Sequence, residues 1–391
     1  MPKIINSERK PIKLWLDDIE AGALEQARNL ANLPFLVSHV AVMPDAHLGY
    51  GMPIGGVIAT DGVIIPNAVG VDIGCGMCVV RTGLRRISTL ELQETVTEIR
   101  KLVPVGFRHH QCRQDKSLMP PFPEGFKKKD LPVINREYNN ALTQLGTLGG
   151  GNHFIEIQKG SDGYIWLMLH SGSRNLGFKV ADYYNRRARE LNRKRGELPA
   201  AARELAFLDL DSDLGRRYLA AMTFCVRFAA ANRLLMMARL KEALERVLPG
   251  VTFAEPLDIA HNYAARETHF GREVIIHRKG ATRARSGELG IVPGSQGAPS
   301  YIVRGKGNPE SFLSCAHGAG RRLGRKQARR QLDLACERRR LEKEGILHSL
   351  YKPKDLDEAA GAYKDIGRVM ENQQDLVEVV TELKPLAVIK G

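Results

Sequence analysis

Between Asn67 and Val80 the chain reads NAVGVDIGCGMCVV, a run of small and β-branched residues interrupted by Asp72, Cys75 and Cys78. Val and Ile at this density predict a buried strand, and the closely spaced glycines predict a sharp turn beside bulky neighbours. A carboxyl and a thiol in such surroundings cost free energy unless a partner compensates them. Two readings fit: a Cys-x-x-Cys that falls in a core turn, or Asp72 and a thiol that hold a metal ion. In both, the fold must bring polar partners from elsewhere in the chain to a buried acid.

The flanking sequence supplies strands and helices in blocks. Residues 35–82 are β-like and glycine-punctuated, IWLMLHSGSR at 165–174 predicts a buried strand running into a turn, and strands return at EVIIHR and PSYIVRG. A helix capped by Ser88 or Thr89 is predicted over 88–103, a polar, Pro-rich loop over 104–135 and a helical section over 176–248. A basic helix is predicted from Arg321 onward. No linker composition divides the 391 residues. Strands at both ends around a helical middle predict an α+β fold, a single intertwined domain over 1–391 with mixed β-sheets.

Charge narrows the partners. Lys and Arg number 58 against 44 acids, a net +14, which points to nucleic acid or an anionic surface. No apolar run approaches the ~20 residues of a membrane span, so none is expected. The N-terminal MPKIINSERKPIKLW has no apolar signal core, and six cysteines without a dense framework fit a reducing, cytoplasmic setting. Between Arg321 and Lys343, ten basic residues stand against three acidic ones. That run is either a solvated helix face or a track for phosphates. NRRARELNRKRGE at 185–197 offers the same choice.

Four histidines lie at turn or strand edges. GGGNHFIEI carries Asn152, His153 and Glu156; MLHSGSRNLG carries His170, Ser171, Ser173 and Arg174; DIAHNYA carries His261 and Asn262; SCAHGAGR carries His317 and Arg321. Any one alone reads as a satisfied core histidine. Four together, at the places where sites are built, read as a site. Thiolate, carboxylate and imidazole suit a borderline divalent cation such as Zn²⁺, Mn²⁺, Fe²⁺ or Co²⁺. The spacings match no zinc ribbon, which favours a catalytic over a structural centre. The turns LGTLGGGNH, VPGSQGAPS and AHGAGR expose backbone N–H groups of the kind that cradle phosphates, yet none is a Walker or Rossmann fingerprint.

Seven blocks in order, MPDAHLGYGMPIGGVIATDG, VGVDIGCGM, LGTLGGGNHFIEI, MLHSGSRNLG, PGSQGAPSYIVRGKGNPESFLSCAHGAGR, AYKDIGRVM and the terminal VIKG, together resemble the RtcB family of RNA-splicing ligases. The resemblance implies an enzyme that uses GTP and Mn²⁺ to join RNA ending in a 2′,3′-cyclic phosphate or 3′-phosphate to RNA with a 5′-hydroxyl. It implies two Mn²⁺ ions held by Asp72, Cys75, His153, His170 and His261, with the Cys75 thiolate bridging, and His317 as the residue that takes GMP. Cys78 has no implied role beyond packing. Nucleotide contacts are implied at Asn152, His153, Glu156, His261, Asn262, Pro293, Gly294, Ser295, Gln296, Ser300, Gly318, Ala319, Gly320, Tyr363 and Lys390. Arg174 and Arg321 are expected on RNA phosphates, and Asp45 and His47 behind the site or on RNA. Gln296, Ala316 and Gly324 depart from the family's usual residues. Whether an activating protein takes part is left open. Two other readings stay beside the ligase: a metal-dependent cyclic phosphodiesterase, and a non-catalytic RNA-binding protein. His317 separates the first of these from the ligase.

Overall fold

The computed structural model describes residues 2–196, 198 and 200–391. Two large sheets carry the fold. In the first, six strands run in the order Lys3–Ile5, Ile12–Leu14, Leu36–His47, Ile54–Thr60, Arg272–Lys279, Asn262–His269. In the second, seven run in the order Leu257–Ala260, Gly76–Arg81, Ile165–Ser171, Phe154–Gly160, Val377–Lys390, Ser300–Gly305, Leu289–Val292. Neighbouring strands in both are antiparallel except Ile12–Leu14 against Leu36–His47. The α+β class read from the sequence is the class observed.

Period-two alternation sorts the second sheet's faces. Cys78, Val80, Ile155, Ile157, Leu167 and Leu169 point to one side, where the helices Thr89–Leu102 and Asp213–Val247 cover them with Leu92, Ile99, Met236 and Leu240. Met77, Val79, Phe154 and Met168 point to the other, toward Ile291, Ile302 and Leu383. Cys78 is therefore packing, whereas Cys75, three residues earlier, lies beyond the strand in the turn.

The chain changes sheets at two places that matter. Leu257–Ala260 ends on the second sheet and Asn262–His269 begins on the first, with His261 at the crossing. Arg272–Lys279 ends on the first sheet, and after Gly280 the strand Ala281–Arg283 pairs with Ser314–Ala316, which leads into His317. The crossings bring His261 and His317 side by side, their ring centroids 4.8 Å apart.

Several expectations are refined. The helix at Thr89–Leu102 has Ser88 as its cap, with Glu91 completing the reciprocal box. The loop expected over 104–135 ends early, because Pro132 opens the helix Pro132–Gln144. The helical middle resolves into Arg174–Arg195 and Asp213–Val247, with a short strand Leu208–Asp209 between them. The basic helix does not start at Arg321. Helix Arg325–Gln331 starts after Gly324 and stops at Leu332, and Asp333 caps a separate helix Leu334–Lys343 by accepting from the Cys336 N–H. Along the other basic run, Arg186, Arg187 and Arg189 pair with Asp182, Glu190 and Glu204, a solvated helix face; its last residue, Glu197, lies outside the described residues.

Asp213–Val247 is also long and apolar enough to cross a membrane by length and composition, although no such stretch was expected. Just over half of its most apolar window, 56%, is buried in this fold. Its apolar length is explained by packing against two neighbouring helices and the second sheet.

Candidate active site

Five chain-distant segments converge where the sheets meet. Met77 and Phe154 both stand opposite His170 in their ladders, which brings the turn before one strand and the turn before the other to the same end. The His261 N–H donates to the Cys75 carbonyl at 2.9 Å, so the crossing strand is tied to the cysteine turn. Gly172 is required here, because a Cβ at that position would lie 2.3 Å from the Asp72 carboxylate oxygens.

The side chains meet in two groups that share one atom. Cys75 Sγ, His170 and His261 form the first, and Asp72, Cys75 and His153 the second; within each, the ligand atoms lie within 4.8 Å of one another. Cys75 Sγ is 3.2 Å from His170 Nε2 and 3.5 Å from His153 Nε2. His170 Nε2 is 3.3 Å from His261 Nε2, and His153 Nε2 is 3.0 Å from Asp72 Oδ2.

The ring nitrogens turned away from the cluster place one proton on each of two rings. His153 Nδ1 lies 3.0 Å from the Leu148 carbonyl and His170 Nδ1 lies 3.1 Å from the Asn152 carbonyl. A carbonyl only accepts, so each Nδ1 carries a proton; His170 Nε2 can then present its lone pair inward, whereas His153 Nε2 faces the Asp72 carboxylate and is open to a cation only when that contact is given up. Burial holds the His170 and His261 imidazoles well below their ordinary pKa, hence neutral. His261 Nδ1 is buried with no hydrogen-bond partner among the described residues. Burial, with Asp72 alongside, pushes the Cys75 thiol well up. Burial also works against the Asp72 charge, but His153 and Arg174 bring its pKa down to about 2. Acid, thiol and neutral imidazoles gathered so closely are a donor set for cations, which would ionise the sulfur and occupy the facing lone pairs.

His317 stands at the edge of this cluster, half-buried. Its Nδ1 lies 2.5 Å from Asp45 Oδ2, and its backbone N–H donates to the same oxygen at 3.1 Å. Asp45 is fully buried. A carboxylate on Nδ1 leaves Nε2 as the nitrogen with a free lone pair. Gly280, at φ +62°, underlies the ring, since a Cβ there would come within 2.9 Å of His317 Cε1. Gly320, at φ +71°, allows close approach to the Asp45 carbonyl. His47 lies behind: its Nδ1 is 3.1 Å from the Asp45 carbonyl, and burial pushes its pKa down to about 4.

The expected nucleotide contacts form a second layer. Gln158 donates to Glu156 Oε2 at 2.6 Å and to Ser300 Oγ at 3.2 Å, and the Gly294 N–H donates to that hydroxyl. Burial pushes the Glu156 carboxyl up to about 8. Gly318 packs under Pro293, Ala319 is buried, and Asn152 contributes its carbonyl to His170. Asn262 ties the site together, donating to the Asp72 carbonyl at 3.1 Å and accepting from the Gly280 N–H at 2.7 Å. Lys390 stands opposite Phe154 in the ladder, so the chain's penultimate residue is held in a sheet. Ser295 and Tyr363 border a cavity of about 750 Å³ with Arg322 and Arg340, and the other expected contacts do not line it.

Sequence reasoning missed Glu358. Its carboxylate is 3.4 Å from Lys390 Nζ, 3.2 Å from Arg321 Nη1 and 3.1 Å from Arg325 Nε, and it accepts from the Tyr363 hydroxyl. Despite burial, these cations hold its pKa down to about 2. Gln296 reaches the same segment, donating to the Glu358 carbonyl at 2.7 Å. Arg321 is thus engaged by Glu358, by the Asp357 carbonyl at 2.5 Å and by the Leu323 carbonyl at 3.1 Å, rather than turned freely outward. Arg174 is likewise inside: its guanidinium lies against Gly149, 3.3 Å from Thr147 Oγ1 and 3.5 Å from His153 Nδ1. Lys279 was also missed. It donates to the Tyr50 and Asn67 carbonyls at 2.6 and 2.9 Å, and burial pushes its pKa down to about 7. The acids opening the small-residue run DEAAGAY and a lone lysine in a strand gave no signal in the sequence.

Comparison with known proteins adds an independent line. The family model described as tRNA-splicing ligase RtcB matches residues 26–391. The chain is 39% identical over 413 residues to the RNA-splicing ligase RtcB of Escherichia coli (strain K12), covering 100% of this chain and 99% of that protein. It is 40% identical over 413 residues to RNA-splicing ligase RtcB1 of another E. coli strain (ATCC 25922), with the same coverage. It is 34% identical over 471 residues to the tRNA-splicing ligase RtcB of Thermococcus kodakarensis, covering 100% of this chain and 97% of that one.

Proposed function

This chain belongs to the RtcB family of tRNA-splicing ligases, and from that premise we propose that it seals RNA by a GTP- and Mn²⁺-dependent route through His317. The substrates are an RNA with a 2′,3′-cyclic phosphate or 3′-phosphate and an RNA with a 5′-hydroxyl. The whole chain acts as one catalytic domain. The observation that carries the reading is the His317 ring set 4.8 Å from that of His261, at the edge of the Asp72–Cys75–His153–His170–His261 cluster.

The residues fit each step. Asp45 on Nδ1 keeps the His317 lone pair on Nε2, which attacks the α-phosphorus of GTP; an N–P bond forms, the α–β phosphoanhydride breaks and pyrophosphate leaves. The guanylate is next transferred from His317 to the RNA 3′-phosphate. The 5′-hydroxyl then attacks the phosphorus of that 3′-phosphate, forming the phosphodiester and releasing GMP. A cyclic phosphate is first opened by water. Asp72, Cys75, His153, His170 and His261 would hold two Mn²⁺ ions, Cys75 being common to the two ligand groups. Bound cations supply charge neutralisation at phosphate oxygens and a lowered pKa for water. Glu156, Ser300 and Lys390 would contact the nucleotide, and Glu358, 3.4 Å from Lys390 Nζ, holds that lysine in place.

The experiment is ligation of a defined RNA pair bearing 2′,3′-cyclic phosphate and 5′-hydroxyl ends, with and without GTP. Joining only with GTP and Mn²⁺ is expected. Opening of the cyclic phosphate without joining, whatever the nucleotide, would move the assignment to a phosphodiesterase.

A further inference from the structure

Asn232 and Arg233 sit side by side in the middle of the helix Asp213–Val247, both with no exposed surface. Burying a guanidinium and an amide there is costly unless every donor finds an acceptor. They do, and the partners are not scattered.

Arg233 grips Asp258 through two bonds, Nε to Oδ1 at 2.6 Å and Nη2 to Oδ2 at 2.9 Å. Its Nη1 donates to the carbonyls of Gly74 at 2.7 Å and Ser171 at 3.2 Å. Asn232 Oδ1 accepts from the Gly146 and Thr147 N–H groups at 2.7 and 3.2 Å. Its Nδ2 has the Thr147 carbonyl, Ser171 Oγ and the Gly172 carbonyl each at 3.2 Å. Ser171 Oγ in turn donates to the Leu148 carbonyl, the same oxygen that receives His153 Nδ1.

Each contacted segment carries a member of the cluster. Gly74 precedes Cys75, Ser171 follows His170, Asp258 is on the strand that ends before His261, and Gly146–Leu148 holds His153 by its ring. We infer that Asn232 and Arg233 are the positioning pair of the cation centre, one helix turn fixing the relative placement of four strands and loops that share no local sequence. This rests on the metal reading of the cluster. A planar guanidinium reaches four acceptor oxygens on three residues at fixed angles, which an ammonium does not.

The test uses Co²⁺ added to the purified full chain without RNA or GTP, read through the thiolate-to-cobalt absorption band and a binding titration. Arg233→Met and the milder Arg233→Lys are compared with Arg278→Met and Arg278→Lys. Arg278 is equally buried and ion-paired, to Glu267, but donates to no backbone carbonyl of the ligand-bearing turns; its bond on that side is to the Tyr263 hydroxyl, at 3.3 Å, at the tip of a side chain two residues after His261. Either pair of changes lowers the melting temperature. Only the Arg233 variants are expected to weaken Co²⁺ binding, by about tenfold or more and with an altered band. Equal Co²⁺ affinity in folded Arg233→Lys and the unaltered chain would overturn the inference. So would equal losses in the two Lys variants, since stability alone would then account for both. No thiolate band in the unaltered chain would instead remove the metal reading, and the positioning role with it.

Discussion

Asp45 Oδ2 takes both the ring Nδ1 and the backbone N–H of His317, although the two residues are 272 positions apart. A single carboxylate oxygen therefore sets the ring's orientation and its tautomer together. Asp45→Asn offers an amide in its place, which can turn its NH₂ toward Nδ1 and force the proton onto Nε2. Transfer of label from α-³²P GTP to the protein is expected to slow by at least about 10²-fold, with Co²⁺ binding unchanged. Guanylylation at the unaltered rate would show that the ring needs no such partner.

Cys75 belongs to both ligand groups, and among the described residues no other does. Cys75→Ala should leave a folded chain, because the thiol is small and sits in a turn. Bound Mn²⁺, counted by elemental analysis after gel filtration, should fall toward zero. Retention of full Mn²⁺ stoichiometry would place the cations elsewhere.

Glu358 is the acid on which Lys390, Arg321, Arg325 and Tyr363 converge. Glu358→Gln removes the charge and leaves the cations unpaired, which costs stability on the order of 3 kcal/mol. With Lys390 loosened, the KM for GTP in the guanylylation assay should rise about tenfold while kcat at saturating GTP changes far less. A fall in kcat with KM unmoved would contradict a role in binding.

Glu156 supplies a pH signature. Its pKa is near 4.5 when unfolded and about 8 when buried in the folded chain. Between those values the folded state holds a proton that the unfolded state has lost, so this group's contribution falls as pH rises from about 4.5 to about 8. Glu156→Gln is neutral throughout. Its melting temperature, minus that of the unaltered chain, should therefore grow by a few degrees from pH 5 to pH 8, without nucleotide or metal. A difference that stays flat would mean that the carboxyl ionises normally.

Much of this was legible in the chain. The turn around Asp72 and Cys75 announced itself because acid and thiol interrupt a β-branched run, and the four histidines sit beside glycines that break regular structure. Pairing was not legible. Nothing local says that Ala260 and Asn262 belong to different sheets, yet that crossing is what sets His261 against His317. The partners of the two arginines expected on RNA were not legible either: Arg321 is held by Glu358 and Arg174 lies beneath His153. Residue type shows charge, but only tertiary contacts show where it is spent. Asn232 and Arg233 were visible as the polar pair in AAANRLL, an apolar helix stretch, and that contradiction of pattern was the unread signal.

The central claim is tested most directly by incubating the chain with GTP and Mn²⁺ and mapping any guanylate by mass spectrometry. An acid-labile GMP adduct on His317, absent from His317→Ala and absent without the cation, is the predicted result. Label that persists in His317→Ala, or that maps to a lysine, would contradict it.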